Sequence, residues 1–204
     1  MEPNFPDFPQ SEESLVPECE LKPAIPAQPA APPPKSSGLG LLLRDLVVAV
    51  AASVLIITFL YQPVVVEGTS MLPRLEDRDR LFVNKFVYHF TSIERGDVVV
   101  FRYPRDPNTS YIKRVIALPG DRLRVVRGTV LVNGVALNEN YVPEEFRDSD
   151  SYAEIVVPEG TFFMMGDHRS ISYDSRKFGP VERSLIYGKA VFVYWPARDA
   201  GVVR

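Results

Sequence analysis

With 204 residues, the chain has room for one folded domain and appendages but not for several domains. Its 46% hydrophobic content suits a globular domain carrying an apolar segment, and a net charge of −3 gives no basis for a nucleic-acid partner. The single cysteine, Cys19, excludes an intramolecular disulfide, and the two histidines, His89 and His168, lack the spacing of a His/Cys metal site.

Residues 1–38 hold ten of the 19 prolines and six acids: Glu2, Asp7, Glu12, Glu13, Glu18 and Glu20. Such a stretch buries too little apolar surface to offset the entropy of ordering it, so a disordered, polyproline-II-like tail is expected. Leu46–Leu60 (LVVAVAASVLIITFL) then runs fifteen residues without a charge. Extended back to Leu39 it reaches about twenty-two residues, enough to span ~30 Å of hydrocarbon. Arg44 and Asp45 interrupt the extension. The arginine can snorkel, and the aspartate is tolerable at the interface or beside it. Tyr61 suits an interfacial belt. Residues 39–61 are therefore predicted to form one transmembrane helix. Lys35 and Arg44 flank one side and Arg74, Arg78 and Arg80 the other, so charge alone leaves the orientation open.

From residue 62 to 204 the pattern turns to short β-type runs. They are Val64–Glu67, Arg80–Lys85, Asp97–Phe101, Tyr111–Leu118, Arg122–Arg127, Val130–Val132, Ile155–Val157, Thr161–Met165 and Lys189–Trp195. Separated by Gly, Pro and Asn-Gly turns, they predict a mainly β domain, a barrel or sandwich. Residues 138–154, rich in Asn, Glu, Asp and Tyr, read as a long exposed excursion.

Three stretches carry candidate chemistry. In Gly68-Thr69-Ser70-Met71-Leu72-Pro73 a serine sits between small residues on a turn. A triad would need His89 or His168, and chain order alone does not exclude one. Cys19 is stranded in the tail, and Asp97, Asp121, Asp167 and Asp174 all fall at turns. A lysine base must be neutral, which burial in an apolar strand can achieve. Lys113, with Ile112, Val115 and Ile116 around it, fits that need. Its neighbour Arg114 should face the other way and cannot be deprotonated. Lys85 is the rival, at what reads as a solvated edge. Finally, Gly166–Arg176 is turn-like, and Asp167, Arg169, Asp174 and Arg176 could form a charged network fixing a loop against the site. Ser172 and Ser175 are spare hydroxyls.

Together these segments resemble type I signal peptidase, the bacterial leader peptidase of the Ser/Lys class. Gly68–Pro73 is similar to its nucleophile motif, Arg95–Phe101 to its next β segment, Lys113–Asp121 to its lysine motif, and Gly166–Arg176 to its GDNR-x-x-S-x-DSR box. The resemblance implies a coiled, largely antiparallel β protease domain outside the cytoplasmic membrane, a cytoplasmic N-terminus, and no metal or cofactor. It makes Ser70 the nucleophile, Lys113 the general base, Ser172 the hydroxyl that orients the lysine, and Asp174 and Arg176 braces of the site. Substrates would be secreted preproteins with small residues before the cleavage site, met beside membrane lipid. Departures are His168 where the box often has Asn, Arg74 for the usual Thr, and Gly68 where some members place an oxyanion-hole hydroxyl. The backbone N–H of Ser70 is then the expected oxyanion donor. A self-processing Ser/Lys protease and an inactive membrane-anchored binding module are the alternatives.

Overall fold

A computed structural model describes residues 38–203, so the expected tail lies outside the described residues except for Gly38. Helix α1 (Gly38–Leu60) covers the apolar run and is long and apolar enough to cross a membrane. Its polar groups are satisfied within the helix. Ser53 Oγ and Thr58 Oγ1 donate to the carbonyls of Ala49 (2.8 Å) and Val54 (2.7 Å), four residues back. Arg44 and Asp45 pair with each other at 3.0 Å, so the two charges that interrupt the run neutralise locally.

Tyr61, expected at the helix end, instead opens strand β1 (Tyr61–Val65). The other strands are β2 (Arg80–Asn84), β3 (Val98–Tyr103), β4 (Asp106–Ala117), β5 (Arg122–Val126), β6 (Thr129–Val132), β7 (Val135–Ala136), β8 (Tyr152–Val156), β9 (Thr161–Met165), β10 (Val181–Glu182), β11 (Ile186–Trp195) and β12 (Gly201–Val202). All pairings are antiparallel. The larger sheet runs β1-β2-β11-β3-β4-β9-β10, with β12 beside β11; the smaller runs β7-β6-β5-β8. Two one-turn helices, α2 (Val87–Phe90) and α3 (Ser175–Phe178), interrupt the connections.

Alternation along the strands sorts the apolar residues into three cores. Val98 and Val100 of β3 join the first, with Val66, Met71, Leu75, Leu81 and Val83. Val99 and Phe101 face the second, with Val115, Phe162, Met164 and Val181. Phe163 and Met165 of β9 meet Leu123, Val125, Val130 and Val132 in the third, which joins the two sheets. Because β4 lies between β3 and β9 with cores on both sides, Lys113 and Arg114 are both buried, at 4% and 2% exposure. The expectation that only one of them turns inward is corrected.

The 138–154 segment also differs from its sequence reading. Glu139 and Val142 are buried, a 3-10 turn spans Glu144–Phe146, and β8 begins at Tyr152. Two of its acids, Glu139 and Asp148, turn inward onto buried arginines, while Glu144, Glu145, Asp150 and Glu154 stay exposed as the composition predicts.

Candidate active site

Ser70 stands on the turn that follows β1. Gly68 has φ 94°, a left-handed conformation that glycine adopts without strain, and its N–H donates to Asp77 Oδ1 at 2.8 Å. Met71 and Leu75, on the far side of the serine, sink into the first core, and a 3.0 Å bond from Leu75 N–H to the Met71 carbonyl closes the turn between them. Burying two such side chains contributes roughly 1.5–3 kcal/mol each. That anchorage holds the half-buried Ser70 at the sheet surface.

Lys113 Nζ lies 2.7 Å from Ser70 Oγ and donates to the Ile112 carbonyl at 3.0 Å. Its ammonium also sits 5.4 Å from the centroid of the Tyr111 ring. Burial lowers its pKa to about 8, while the negative charges of Asp174 and Asp167 oppose the lowering. Lys113 is therefore substantially neutral in mildly alkaline solution, within hydrogen-bond distance of the Ser70 hydroxyl.

The box residues surround this pair without touching the serine hydroxyl. Asp167 takes two bonds from Arg114, at 2.8 and 2.6 Å. Arg114 also donates to the Gly96 carbonyl at 2.9 Å and lies 4.2 Å over the Tyr141 ring. Arg169 grips Glu139 at 3.0 and 2.5 Å and donates to the Gly166 carbonyl at 3.0 Å. Asp174 caps α3, accepts from Gly166 N–H at 3.1 Å, and pairs with Arg176, which in turn reaches Asp148 at 2.5 Å and the Arg169 carbonyl at 2.8 Å. Ser175 Oγ accepts from Met164 N–H at 3.0 Å. Although Asp167 and Asp174 lie on turns, both are fully buried.

Three members of this network, Arg114, Glu139 and Asp148, escape the sequence reading. The signal available is charge balance, because buried arginines in the box demand carboxylates, and the 138–154 segment is the nearby acidic stretch.

Ser172 is placed close to the site but not as expected. Its hydroxyl is buried and, among the described residues, has no hydrogen-bond partner, so it makes no bond to Lys113. It lies against Gly166, where a Cβ would collide with both Ser172 Oγ and the Ser70 carbonyl oxygen. Lys85 is exposed beyond the end of β2. His89 packs against Phe86, and His168 Nδ1 faces the Thr69 carbonyl at 3.3 Å, so no histidine stands in the base position. Among the described residues no cluster of His, Cys, Asp and Glu could hold a metal ion.

Beside Ser70 opens a cleft of about 380 Å³. Val64–Ser70 line one wall and Ser110–Lys113 the other, with Ile171 and Tyr173 at the margin. Val64 and Val65 belong to β1 and the second wall to β4, whereas Val66–Ser70 follow the end of β1. β1 is outermost in its sheet, and β4 pairs with β9 only from Arg114 to Ala117, leaving the side of Ser110–Lys113 away from β3 unpaired among the described strands.

Residues 40–195 match the family model described as signal peptidase, peptidase S26. The chain belongs to that family. It is 40% identical over 187 residues to a signal peptidase I of Leptolyngbya laminosa, a match covering 86% of this chain and 90% of the relative. A signal peptidase I of Bacillus licheniformis is 36% identical over 174 residues, covering 81% and 93%. A solved structure of a signal peptidase I from Enterococcus faecalis V583 is 31% identical, with TM-score 0.43, covering 48% of this chain and 97% of that one. As a family member the chain is a serine peptidase of the signal peptidase I type, and its mainly β, antiparallel architecture with one N-terminal apolar helix accords with that reading.

Proposed function

We propose that the chain is a membrane-anchored endopeptidase that removes signal peptides from exported preproteins through a Ser70/Lys113 dyad. The observation that carries this reading is the 2.7 Å approach of Lys113 Nζ to Ser70 Oγ within a buried site. Neutral Lys113 takes the Ser70 proton as Oγ bonds to the scissile carbonyl carbon. The oxyanion is met by the backbone N–H of Ser70. When the C–N bond breaks, the departing amine takes the proton from Lys113 and leaves as the new N-terminus of the mature protein. Water then attacks the acyl-enzyme and gives its proton to Lys113; as the C–Oγ bond breaks to free the signal peptide, Lys113 returns that proton to Ser70 Oγ.

The substrate lies extended between the free edges of β1 and β4, its side chains alternating into a cleft of small volume that admits small residues before the scissile bond. Asp167, Arg169, Asp174 and Arg176 hold the walls of the site. The unpaired Ser172 hydroxyl is available to Lys113 once the lysine moves during turnover. Helix α1 anchors the chain in lipid, with the N-terminus cytoplasmic and the β domain outside.

Cleavage of a purified preprotein in detergent tests the reading, comparing wild type with Ser70→Ala and Lys113→Ala. Both folded variants are expected to be inactive. Activity in either one removes that residue from the dyad, and a wild type that cleaves only itself supports a self-processing protease.

A further inference from the structure

The Ser70 N–H is the proposed oxyanion donor, and it belongs to the peptide group that carries the Thr69 carbonyl. A peptide group is planar, so whatever holds that carbonyl also aims the N–H. Two donors face Thr69 O, both at 3.3 Å: Leu72 N–H and His168 Nδ1. Leu72 is part of the same turn and moves with it. His168 comes from the box, 99 residues away, and acts as an external support.

The same residue also holds the next peptide group. The His168 backbone N–H donates to the Ser70 carbonyl at 3.1 Å. One residue thus grips both peptide groups flanking the Ser70 Cα. Its own placement is secured on two sides. The imidazole stands edge-on to the Phe146 ring, centroids 4.7 Å apart, and the His168 carbonyl accepts from Ser172 N–H at 3.1 Å. Phe146 is tied back to the box by a 2.8 Å bond from Arg169 N–H to its carbonyl.

We infer that His168 is a positioning residue for the oxyanion hole, its imidazole holding the Thr69–Ser70 peptide so that the Ser70 N–H points at the reacting carbonyl. The inference rests on Ser70 being the nucleophile. A carbonyl oxygen can only accept, so the bond requires the proton on Nδ1. A hydrogen bond at one end of an amide also polarises it and makes the N–H at the other end a stronger donor. Preorganised donors of this kind act on the transition state more than on bound substrate, so kcat rather than KM carries the effect.

The test uses the full chain in detergent with a purified preprotein, comparing wild type, His168→Ala, His168→Leu, His168→Asn and Ser70→Ala. Leucine fills the space beside Phe146 without offering a donor; asparagine offers an amide N–H. Since deleting a whole oxyanion donor costs ~10²–10³ in rate, loosening one is expected to lower kcat about 10- to 100-fold in His168→Ala and His168→Leu. KM should stay within about twofold and the unfolding midpoint unchanged, because ground-state binding and the fold are not what the bond serves. His168→Asn should recover most of the lost rate. Wild-type kcat in His168→Leu overturns the inference. So does a loss that asparagine fails to recover, or one that follows the unfolding midpoint across all three variants. Ser70→Ala separates the two levels: activity there defeats the nucleophile reading itself, whereas an inert Ser70→Ala beside an unimpaired His168→Leu defeats only the role of His168.

Discussion

Arg114 and Asp167 meet through two hydrogen bonds, 2.8 and 2.6 Å, with both side chains almost wholly buried, one residue beyond the proposed base. The pair clasps β4 to the box, so the strand that carries Lys113 and the loop that carries His168 are fixed to each other. Replacing the carboxylate by a neutral amide removes the charge that faces the Arg114 guanidinium through both bonds. Asp167→Asn is expected to lower unfolding stability by roughly 1.5–3 kcal/mol. The double change Asp167→Leu with Arg114→Met should be less destabilising than Asp167→Asn alone. Denaturant unfolding of wild type and the two variants checks the order, and a double variant less stable than Asp167→Asn would contradict it.

The lysine sets the pH dependence of turnover. With its pKa lowered to about 8 by burial, kcat should rise with pH through about 8 as Lys113 loses its proton. Asp174 and Asp167 oppose that lowering, so Asp174→Asn should move the rising limb to lower pH. A pH–kcat profile of the two proteins reads the displacement directly. A limb that moves to higher pH would contradict the electrostatic assignment.

Burial of Lys113 also weakens the fold. The native state binds the lysine proton less tightly than the unfolded chain, whose lysine has a pKa near 10.5. The penalty is complete below about 8 and fades as pH rises toward 10.5, so this group makes stability increase with pH across that window. A tenfold loss of proton affinity corresponds to about 1.4 kcal/mol, which puts the full penalty at about 3 kcal/mol. Lys113→Met should therefore be inactive yet more stable than wild type at pH 7, with the gain shrinking at alkaline pH. Chemical denaturation at several pH values measures it.

Gly166 is sterically committed. A methyl group there would collide with the Ser172 hydroxyl on one side and with the Ser70 carbonyl oxygen on the other. Gly166→Ala should reduce kcat by about 10²-fold, the scale of a misplacement near 1 Å. Adding Ser172→Gly should not restore the rate, because the carbonyl contact belongs to the backbone. Steady-state kinetics of the single and double variants decide the point.

Much of this arrangement is legible in residue order. β9 begins and ends at Thr161 and Met165 as its apolar run does, and β2 and β5 fall within a residue of their predicted ends. Ser70 and Lys113, 43 positions apart, stand out by their local chemistry, and the structure brings their polar atoms together. What stays hidden is whatever depends on partners distant in sequence. β4 starts at Asp106 because its hairpin with β3 continues past Pro107, pairing Tyr103 with Asp106, where local signals read loop. β7, β10 and β12 are two residues each, too short for any period. Glu139 and Asp148 look solvated until the arginines they neutralise fold against them.

Leu60 ends α1 and Tyr61 begins β1, with no residue between. β1 is bonded to β2 over five residue pairs, from Tyr61 with Asn84 to Val65 with Arg80, and its continuation forms one wall of the cleft. The apolar helix and the strand that leads to Ser70 are thus joined by a single peptide bond, so a residue inserted there has to be absorbed by one element or the other.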